Sequence, residues 1–361
     1  MKYLFFVQSE GRGHLTQALT VAKEIRGLGH ELVGVIMNQN PIRKIPDFFI
    51  DEIGAPIHYI KSPYFLMNKE GNGIDFSKSV IFNLFRLKAY IQSLKVINKL
   101  YKKYQPDVVL NFFEPLFGFY NLFFKHKIPS FSIGHQFFIN HPVFNRPKGY
   151  FKDYQYFSFY NQITSYGSTA LIALSFTKEE DLPEENLFVC PPLLRPEIRK
   201  LSPQKKGFIL SYILNSGYFE EIKSWAEKNP SQKVEAFWDK KDETEAKQFG
   251  LNLTFHPLSG HKFIELLSDC STYISTGGFE SICEAAYLQK DVLMVPTKNH
   301  YEQLCNAYDA YRAGLAIFDS FFNIDLIVKN KKILPEESRR IFKDWVDRES
   351  NKLIDIITLK S

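Results

Sequence analysis

Short apolar runs and amphipathic stretches alternate along the whole chain. The first apolar run, Tyr3–Val7, leads into a polar loop, after which apolar residues recur at helical spacing as far as Ile25. The next apolar run covers residues 31–37. A strand, a helix and a second strand in this order form a parallel, right-handed β-α-β unit. The pattern therefore predicts that a doubly wound domain begins at residue 1.

The same alternation continues to residue 190 and then restarts. A long helix is predicted over 79–104, and the remaining strands of the first half are predicted at 107–111, 128–133, 171–175 and 187–190. Strands of the second half are predicted at 207–212, 233–238, 253–255, 272–275 and 292–295, with helices near 218–228 and 262–267 and from residues 279 and 301. Such repetition at domain level predicts two α/β domains.

The predicted fold is α/β, with two Rossmann-like doubly wound domains that face a cleft. A chain of 361 residues suits two domains of ordinary size. We assign 1–190 to the N-terminal, acceptor-side domain, the Pro-rich segment and its continuation (191–206) to a linker, and 207–330 to the C-terminal domain. Residues 331–361 are expected to form a C-terminal helix that is able to cross back to the N-terminal domain. Ligands usually bind in the cleft between such domains.

Composition narrows the class of protein. The formal net charge of +5 is too small to indicate a nucleic-acid partner. The four cysteines form no CxxC pair and have no metal-ligand spacing, which is typical of a reducing compartment. The apolar start at residues 3–7 is too short for a signal peptide or a membrane span. We therefore expect a cytoplasmic protein.

The segment from Ser275 to Ala286 carries the most informative motif, Ser-Thr-Gly-Gly-Phe-Glu-Ser-Ile-Cys-Glu-Ala-Ala. A strand ends at a Gly pair, and the following helix directs its N-terminal N–H groups toward whatever lies there. Ser281 falls in the first turn of this helix, and Glu284 lies one turn further on the same side. Glu302 and Gln303 open the next helix and return to the same edge of the sheet. Together these residues predict a site for a phosphate and a sugar.

This spacing resembles the donor-binding motif of the GT-B glycosyltransferases, which include the bacterial transferase that adds N-acetylglucosamine to lipid-linked peptidoglycan precursors and the plant and macrolide UDP-sugar transferases. The resemblance covers about residues 275–307. It implies a metal-independent, inverting transfer of a sugar from a UDP-sugar or other nucleoside-diphosphate donor to an acceptor hydroxyl, without a cofactor. The acceptor class, whether small molecule, glycan or lipid-linked, is left open.

The resemblance also implies roles for individual residues. The diphosphate contacts are Gly277, Gly278 and Ser281, the ribose contact is Glu284, and the contacts to the transferred sugar are Glu302 and Gln303. Many plant-type members carry a phosphate-binding His where this chain has Thr276. A hydroxyl can still donate to phosphate, but the positive charge is missing. Another group must therefore offset the charge of the leaving diphosphate.

The loop Gly11-Arg12-Gly13-His14 follows the first strand and resembles the glycine loop of the same families, which lies against the diphosphate and the acceptor. It is not a dinucleotide fingerprint, because Thr16 stands where the third Gly would be. His14 is interpreted as the catalytic base, as a phosphate donor or as a local helix cap. Histidine suits the removal of a proton from an acceptor hydroxyl near neutral pH.

Three further side chains leave predicted strand ends. Glu114 either orients His14, acts as the base itself or is an exposed loop carboxylate. His135 and Gln136 line the acceptor side or pack in the interior. In the C-terminal domain, the backbone near Leu258 is a candidate for contact with the nucleotide base. Two histidines near it are interpreted as structural, His256 and His261.

An aromatic segment, residues 137–166, contains 11 Phe or Tyr, three basic residues and one acid. Aromatic rings with basic residues are typical of segments that lie at a lipid interface. This segment is therefore a candidate for peripheral contact with the inner face of a membrane, and internal packing is the alternative. Two other functions remain open for the whole chain, a UDP-N-acetylglucosamine 2-epimerase-like enzyme and a non-catalytic nucleotide-sugar-binding protein.

Overall fold

The computed structural model describes residues 1–39, 45–69, 73–213, 216–240, 243–329 and 334–361. Its first sheet contains seven parallel strands in the order β3-β2-β1-β4-β5-β6-β7. Their bounds are β1 Lys2–Val7, β2 Glu31–Asn38, β3 Ile57–Ile60, β4 Val108–Phe112, β5 Ser130–Gly134, β6 Ala170–Leu174 and β7 Leu187–Cys190. The central strands are buried on both faces, and β1 is accordingly a continuous apolar run after Lys2, whereas β4 and β5 also bury polar residues.

Helices cover both faces of this sheet. They are α1 Arg12–Gly27, α2 Asp47–Ile53, α3 Phe76–Leu84, α4 Leu87–Tyr104, α5 Pro115–Phe124 and α6 Phe151–Thr164. The chain turns between α3 and α4, where the Asn83 side chain donates to Tyr64 O and accepts from the Tyr90 hydroxyl. The single helix predicted over 79–104 is therefore two helices. No Gly or Pro marks the break, and apolar residues continue across it.

The second sheet also has seven strands, in the order β10-β11-β9-β8-β12-β13-β14. Only β10 runs antiparallel to its neighbour. The strands are β8 Ile209–Ile213, β9 Val234–Trp238, β10 Lys247–Phe249, β11 Leu253–Pro257, β12 Thr272–Ser275, β13 Asp291–Met294 and β14 Ile317–Phe318. The flanking helices are α7 Pro196–Arg199, α8 Phe219–Lys228, α9 Gly260–Asp269, α10 Phe279–Tyr287, α11 Tyr301–Arg312 and α12 Ile324–Val328.

The C-terminal segment forms two helices rather than one, α13 Glu336–Arg348 and α14 Lys352–Lys360. The first stays with the second sheet, where the Tyr287 hydroxyl donates to Asp347 at 2.8 Å. The second lies against the first sheet, with Lys352 Nζ 3.0 Å from Asp181 and Lys360 over the Phe188 ring. The assigned boundary at residues 330 and 331 lies outside the described residues.

The predicted fold class, α/β with two Rossmann-like domains, is confirmed by these two sheets. All four cysteines are buried and free, so they act as small apolar residues. Within the described ranges, no helix is long and apolar enough to cross a membrane.

Candidate functional site

The carboxyl ends of both sheets open onto one cavity of about 1320 Å³. Its walls come from both halves of the chain, including the loop after β1, the start of α10 and the start of α11. Small-molecule sites usually measure about 300–1,000 Å³. The cavity is therefore large enough for a nucleotide and a second ligand.

The Gly pair predicted to hold phosphate lies at the cavity wall, between β12 and α10. A side chain on Gly277 would meet the backbone of Gln303 at 2.7 Å, so this position requires glycine. Asn306 Nδ2 donates to Gly277 O at 2.8 Å, and Gln303 Oε1 accepts from Thr297 N at 2.8 Å. The Asn of the motif thus holds the Gly loop in place, and the Gln side chain holds the loop after β13.

Helix α10 begins at Gly278, and no side chain caps its first turn. Thr276 and Ser281 also line the cavity there. Uncapped N–H groups at a helix N-terminus, together with the helix dipole, favour an anion. The structure therefore brings together the residues that the sequence assigned to diphosphate.

A second helix N-terminus faces the first. Helix α1 begins after Gly11, again without a side-chain cap, and Arg12 lines the cavity. A side chain on Gly13 would collide with the carboxylate of Glu280, so Gly13 permits close approach of α1 and α10. Gln17 donates a hydrogen bond to the same carboxylate. The two halves of the chain therefore meet here.

His14 lies in the first turn of α1, and its ring is buried at the cavity wall. Its Nδ1 is 3.2 Å from Gln17 Oε1, and its Nε2 is 3.3 Å from Gln136 Nε2. A carbonyl oxygen accepts and an amide nitrogen donates, so these partners select the tautomer with the proton on Nδ1. Nε2 is left with the lone pair that a base needs.

Burial lowers the pKa of His14 to about 4, against a smaller opposite effect from Gln17. The ring is therefore neutral near pH 7. Phe113, held in a left-handed conformation with φ 63°, stacks on it at 5.7 Å. The interpretation of His14 as a helix cap is wrong, because the N-cap is Gly11 and the His14 ring bonds to side chains. Because the ring is neutral, it would have no positive charge to offer in a contact with phosphate.

Glu114 does not face the cleft as either base or partner of His14. Its carboxylate is buried outside the cavity wall, where it accepts from the Ser62 hydroxyl and from Leu116 N. Pro115 at the first helical position makes Glu114 the N-cap of α5, which turns the side chain inward. The exposed-loop alternative is wrong as well, since the side chain is fully buried, and this burial raises the pKa of Glu114 to about 7.

His135 touches the cavity, but both of its ring nitrogens face protein groups. Nδ1 donates to Leu174 O at 2.7 Å, and Nε2 lies 3.6 Å from Asp309 Oδ2. Its ring stacks on Phe279 at 4.2 Å. These contacts join the two halves, so the structure favours the packing interpretation of His135.

Gln136 was given no fixed role by the sequence, yet it lies at the centre of the cleft. Its amide nitrogen donates to Glu302 Oε1 at 2.9 Å as well as lying near His14. Asn161 Nδ2 holds the Gln136 backbone oxygen at 2.9 Å. The buried Gln136 Oε1 has no hydrogen-bond partner among the described residues. This amide therefore connects the predicted base to a predicted sugar contact.

Glu284 lines the cavity and forms a two-bonded ion pair with Arg195, whose Nε and Nη2 lie 2.6 Å from its two oxygens. Arg195 comes from the segment after β7 and also lines the cavity. This cation was not predicted from the sequence. Its position in a Pro-rich segment gave no signal of a contact with α10.

Two carboxyl groups in the cleft have strongly shifted acidity. Burial raises the pKa of Glu280 to about 7 and that of Glu302 to about 7, the latter against a smaller opposite effect from Gln136. Glu280 also lies near other carboxylates, which adds to its shift. No role was assigned to Glu280 from the sequence. The sequence did contain a signal that Glu280 is unusual, because it places a carboxylate in the first turn of a helix predicted to bind an anion.

The remaining candidates lie away from the cavity. His256 Nε2 bonds to Glu235 at 2.6 Å, and neither His256 nor His261 lines the cavity. Leu258, the predicted contact to the nucleotide base, does not line the cavity. Its neighbours Ser259 and Gly260 do. Among the described residues, no group of three His, Cys, Asp or Glu is placed to hold a metal ion.

The aromatic segment 137–166 divides into two parts. Phe137, Phe138 and Ile139 are buried under the first sheet, which agrees with internal packing. Most of α6 is at the surface, where Phe151 and Phe159 are exposed. The internal-packing interpretation therefore describes the first part, and contact of α6 with a membrane stays a prediction.

Comparison with known proteins gives a consistent picture. A family model described as glycosyl transferase family 1 matches residues 1–329. An uncharacterized glycosyltransferase of Methanosarcina mazei is 32% identical over 112 residues, which span 31% of this chain and 27% of that protein.

Solved structures resemble the whole chain. The glycotransferase of kitacinnamycin has a TM-score of 0.66 at 16% identity, covering 99% of this chain and 98% of that chain. The glycosyltransferase SnogD from Streptomyces nogalater has a TM-score of 0.58 at 15% identity, covering 99% of both chains. The calicheamicin glycosyltransferase CalG4 has a TM-score of 0.61 at 13% identity, covering 99% of this chain and 98% of that chain. At such identities the likeness shows the GT-B fold alone.

Proposed function

Because this chain belongs to glycosyl transferase family 1, we propose that it transfers a sugar from a UDP-sugar to a hydroxyl group of an acceptor bound on the N-terminal side of the cleft. One observation carries the proposal. The uncapped N-termini of α1 and α10 face the same cavity, and the lone pair of His14 Nε2 lies at that cavity's wall. An anion site and a neutral base are the two elements that the transfer needs.

In the proposed reaction, the acceptor hydroxyl oxygen attacks the anomeric carbon of the donor sugar. The bond from that carbon to the diphosphate oxygen breaks, and UDP leaves with the bonding electrons. His14 Nε2 takes the hydroxyl proton. A single displacement of this kind inverts the configuration at the anomeric carbon. The hydrogen bond that His14 Nδ1–H donates to Gln17 Oε1 stabilises the imidazolium that forms.

The donor is proposed to lie along α10. Thr276, Gly277, Gly278 and Ser281 would contact its diphosphate, and Glu284 would accept from a ribose hydroxyl while it stays paired with Arg195. Glu302 and Gln303 would accept from and donate to the transferred sugar. Negative charge that develops on the diphosphate would be offset by Arg12 and by two helix dipoles. These groups supply the charge that Thr276 lacks, so we propose a reaction without a metal ion.

Calorimetry with UDP is the first test. Binding that is lost in Ser281→Ala and kept in Ser224→Ala, a control on α8, would support the diphosphate assignment. Transfer is then measured as UDP release with a panel of UDP-sugars and hydroxyl acceptors, with and without a chelator. No binding of any nucleoside diphosphate by the folded protein would overturn the proposal.

The epimerase-like alternative is favoured by one observation, the raised pKa of Glu280 and Glu302 in the cleft. Carboxyl groups that titrate near pH 7 suit proton removal and return at a sugar carbon. Incubation of UDP-N-acetylglucosamine without an acceptor distinguishes the two functions. Formation of its 2-epimer would identify the alternative, whereas nucleotide binding without turnover under any condition would indicate a binding protein.

A further inference from the structure

One arm of the cavity leaves the cleft between helices of the N-terminal half. Its walls are apolar side chains of α3, α4, α5 and α6, among them Leu87, Ile91, Leu94, Phe119 and Phe159. Helix α5 packs between α4 and α6, so these side chains face one another across a continuous groove. This groove begins at the wall that contains His14 and ends at the protein surface.

The outer end of the groove is surrounded by large apolar side chains in contact with solvent. Leu84 is 59% exposed, Phe85 86%, Phe123 67% and Phe159 62%. They come from the α3–α4 turn, the end of α5 and the middle of α6. Apolar groups clustered around a cavity mouth, unlike single exposed ones, mark a surface that contacts another molecule.

Charge is distributed unevenly around this mouth. The three segments that form it, 76–104, 115–128 and 137–166, contain twelve Lys or Arg and one acid, Asp153. Asp75, just before the first segment, is paired with Lys78 at 2.8 Å. Since the whole chain has a net charge of +5, the three segments at +11 leave −6 on all other residues. The segments that contribute to the groove are therefore basic, and the rest of the chain is acidic.

Helix α4 shows how the two properties combine. Lys88 and Lys95 lie one turn before and after Ile91, so two cations flank an apolar side chain that is itself on the groove wall. Both lysines are exposed, and neither forms an ion pair with any described residue. This arrangement suits a surface that presents hydrocarbon beneath a layer of negative charge.

We propose that the acceptor is a membrane lipid whose head group carries the accepting hydroxyl and whose hydrocarbon chain lies in the groove, with the basic mouth seated on an anionic bilayer. The inference rests on the proposed transferase function and names its acceptor class. A second copy of the chain is disfavoured as the occupant, because it would bring two strongly basic surfaces together. A lipid bilayer provides both the chain and the opposite charge.

The first experiment compares acceptors that share one hydroxyl head and differ in alkyl-chain length, each kept below its aggregation concentration. kcat/KM should rise by up to about fourfold for each methylene group that the groove covers, and then level off. Ile91→Glu places a charge on the groove wall and should abolish this rise while activity on the shortest acceptor remains. Val96→Glu, on α4 outside the groove, should keep the rise.

The second experiment is co-sedimentation with vesicles. Binding to phosphatidylserine-containing vesicles should exceed binding to phosphatidylcholine vesicles and should weaken with salt. Leu84→Ser/Phe85→Ser should weaken it by at least about tenfold, the factor for one buried side chain of this size. Lys88→Gln/Lys95→Gln should weaken it by about fivefold per charge. The exposed control Leu251→Ser/Leu359→Ser should bind as the parent does.

Different failures are distinguishable. UDP binding with equal kcat/KM for short and long acceptors, or with no vesicle binding, overturns the lipid inference and leaves the proposed transferase intact. A dimer that Leu84→Ser/Phe85→Ser dissociates in sedimentation velocity also overturns it, in favour of a second copy. Absence of nucleotide binding overturns the transferase proposal, whatever the vesicles show.

Discussion

The amide nitrogen of Gln136 lies 2.9 Å from the carboxylate of Glu302, which belongs to the other side of the cleft. Gln136 follows β5 of the first sheet, and Glu302 opens α11 of the second. The same nitrogen is 3.3 Å from His14 Nε2. One amide therefore contacts both the lone pair of the proposed base and an oxygen proposed to hold the sugar. In the proposed reaction, the acceptor and the donor would take over these two contacts.

Stability should depend on pH through Glu302. Its pKa is about 7 in the folded state, against 4.5 as its ordinary value. Between these values the folded state holds more protons than the unfolded state, so the free energy of unfolding falls as pH rises from 4.5 to about 7. Glu302→Gln should lose less stability over this range in urea unfolding. In this variant Glu280 still contributes part of the pH dependence of the unfolding free energy. The exposed control Glu265→Gln should show the full pH dependence of the parent. Equal slopes in the parent and Glu302→Gln would refute the shift.

Donor affinity should rise as pH falls from about 8 to about 6, on either side of the pKa of about 7 of Glu280 and Glu302. The negative diphosphate of a UDP-sugar favours the protonated, uncharged form of both carboxyl groups. Binding should therefore take up protons, which calorimetry in two buffers of different ionisation enthalpy measures directly. Proton release on binding would contradict this arrangement of charges.

His14→Ala should lower turnover by roughly 100-fold to 10,000-fold, the usual contribution of a positioned base, and leave UDP affinity nearly unchanged. Because burial keeps the ring neutral down to about pH 4, protonation of His14 in the free protein should not limit kcat/KM near neutral pH. The matched control is His30→Ala, since His30 precedes β2 at the opposite edge of the sheet. A weaker UDP affinity with normal turnover would instead identify a phosphate contact.

Glu284→Gln should weaken UDP binding by about 1.5–3 kcal/mol, the range for a hydrogen bond to a charged group. The change also leaves Arg195 without its ion-pair partner, so the variant's unfolding must be measured before its affinity is interpreted. Combining Glu284→Gln with Arg195→Met separates the two effects. The double variant should regain stability against unfolding without regaining affinity for UDP. Full recovery of affinity would show that Glu284 acts only through Arg195.

The strands and the Gly motif were predictable because their signals are local. Strand β7 begins and ends where its apolar run does, since it is buried on each face, and β12 has its predicted bounds. Close approach of Gln303 to Gly277 explains why the spacing between them is informative. Helix α6 was not recognised, because its aromatic residues are distributed around the helix rather than on one face.

The contacts that complete the site were beyond a local pattern. Gln136 and Glu302 are separated by 166 residues, and Arg195 and Glu284 by 89. Polar residues at strand ends indicate a site, but pairing across the cleft depends on how two separately folded sheets dock. Glu114 was misassigned for the opposite reason, since a local effect of Pro115 decided its direction.

The chain passes between the two sheets twice, through 191–206 and through the short turn that joins α13 to α14. Any opening of the cleft must keep both connections intact while it separates Gln17 from Glu280 and Gln136 from Glu302. Helix α14 therefore restricts the opening of a cleft that it does not line.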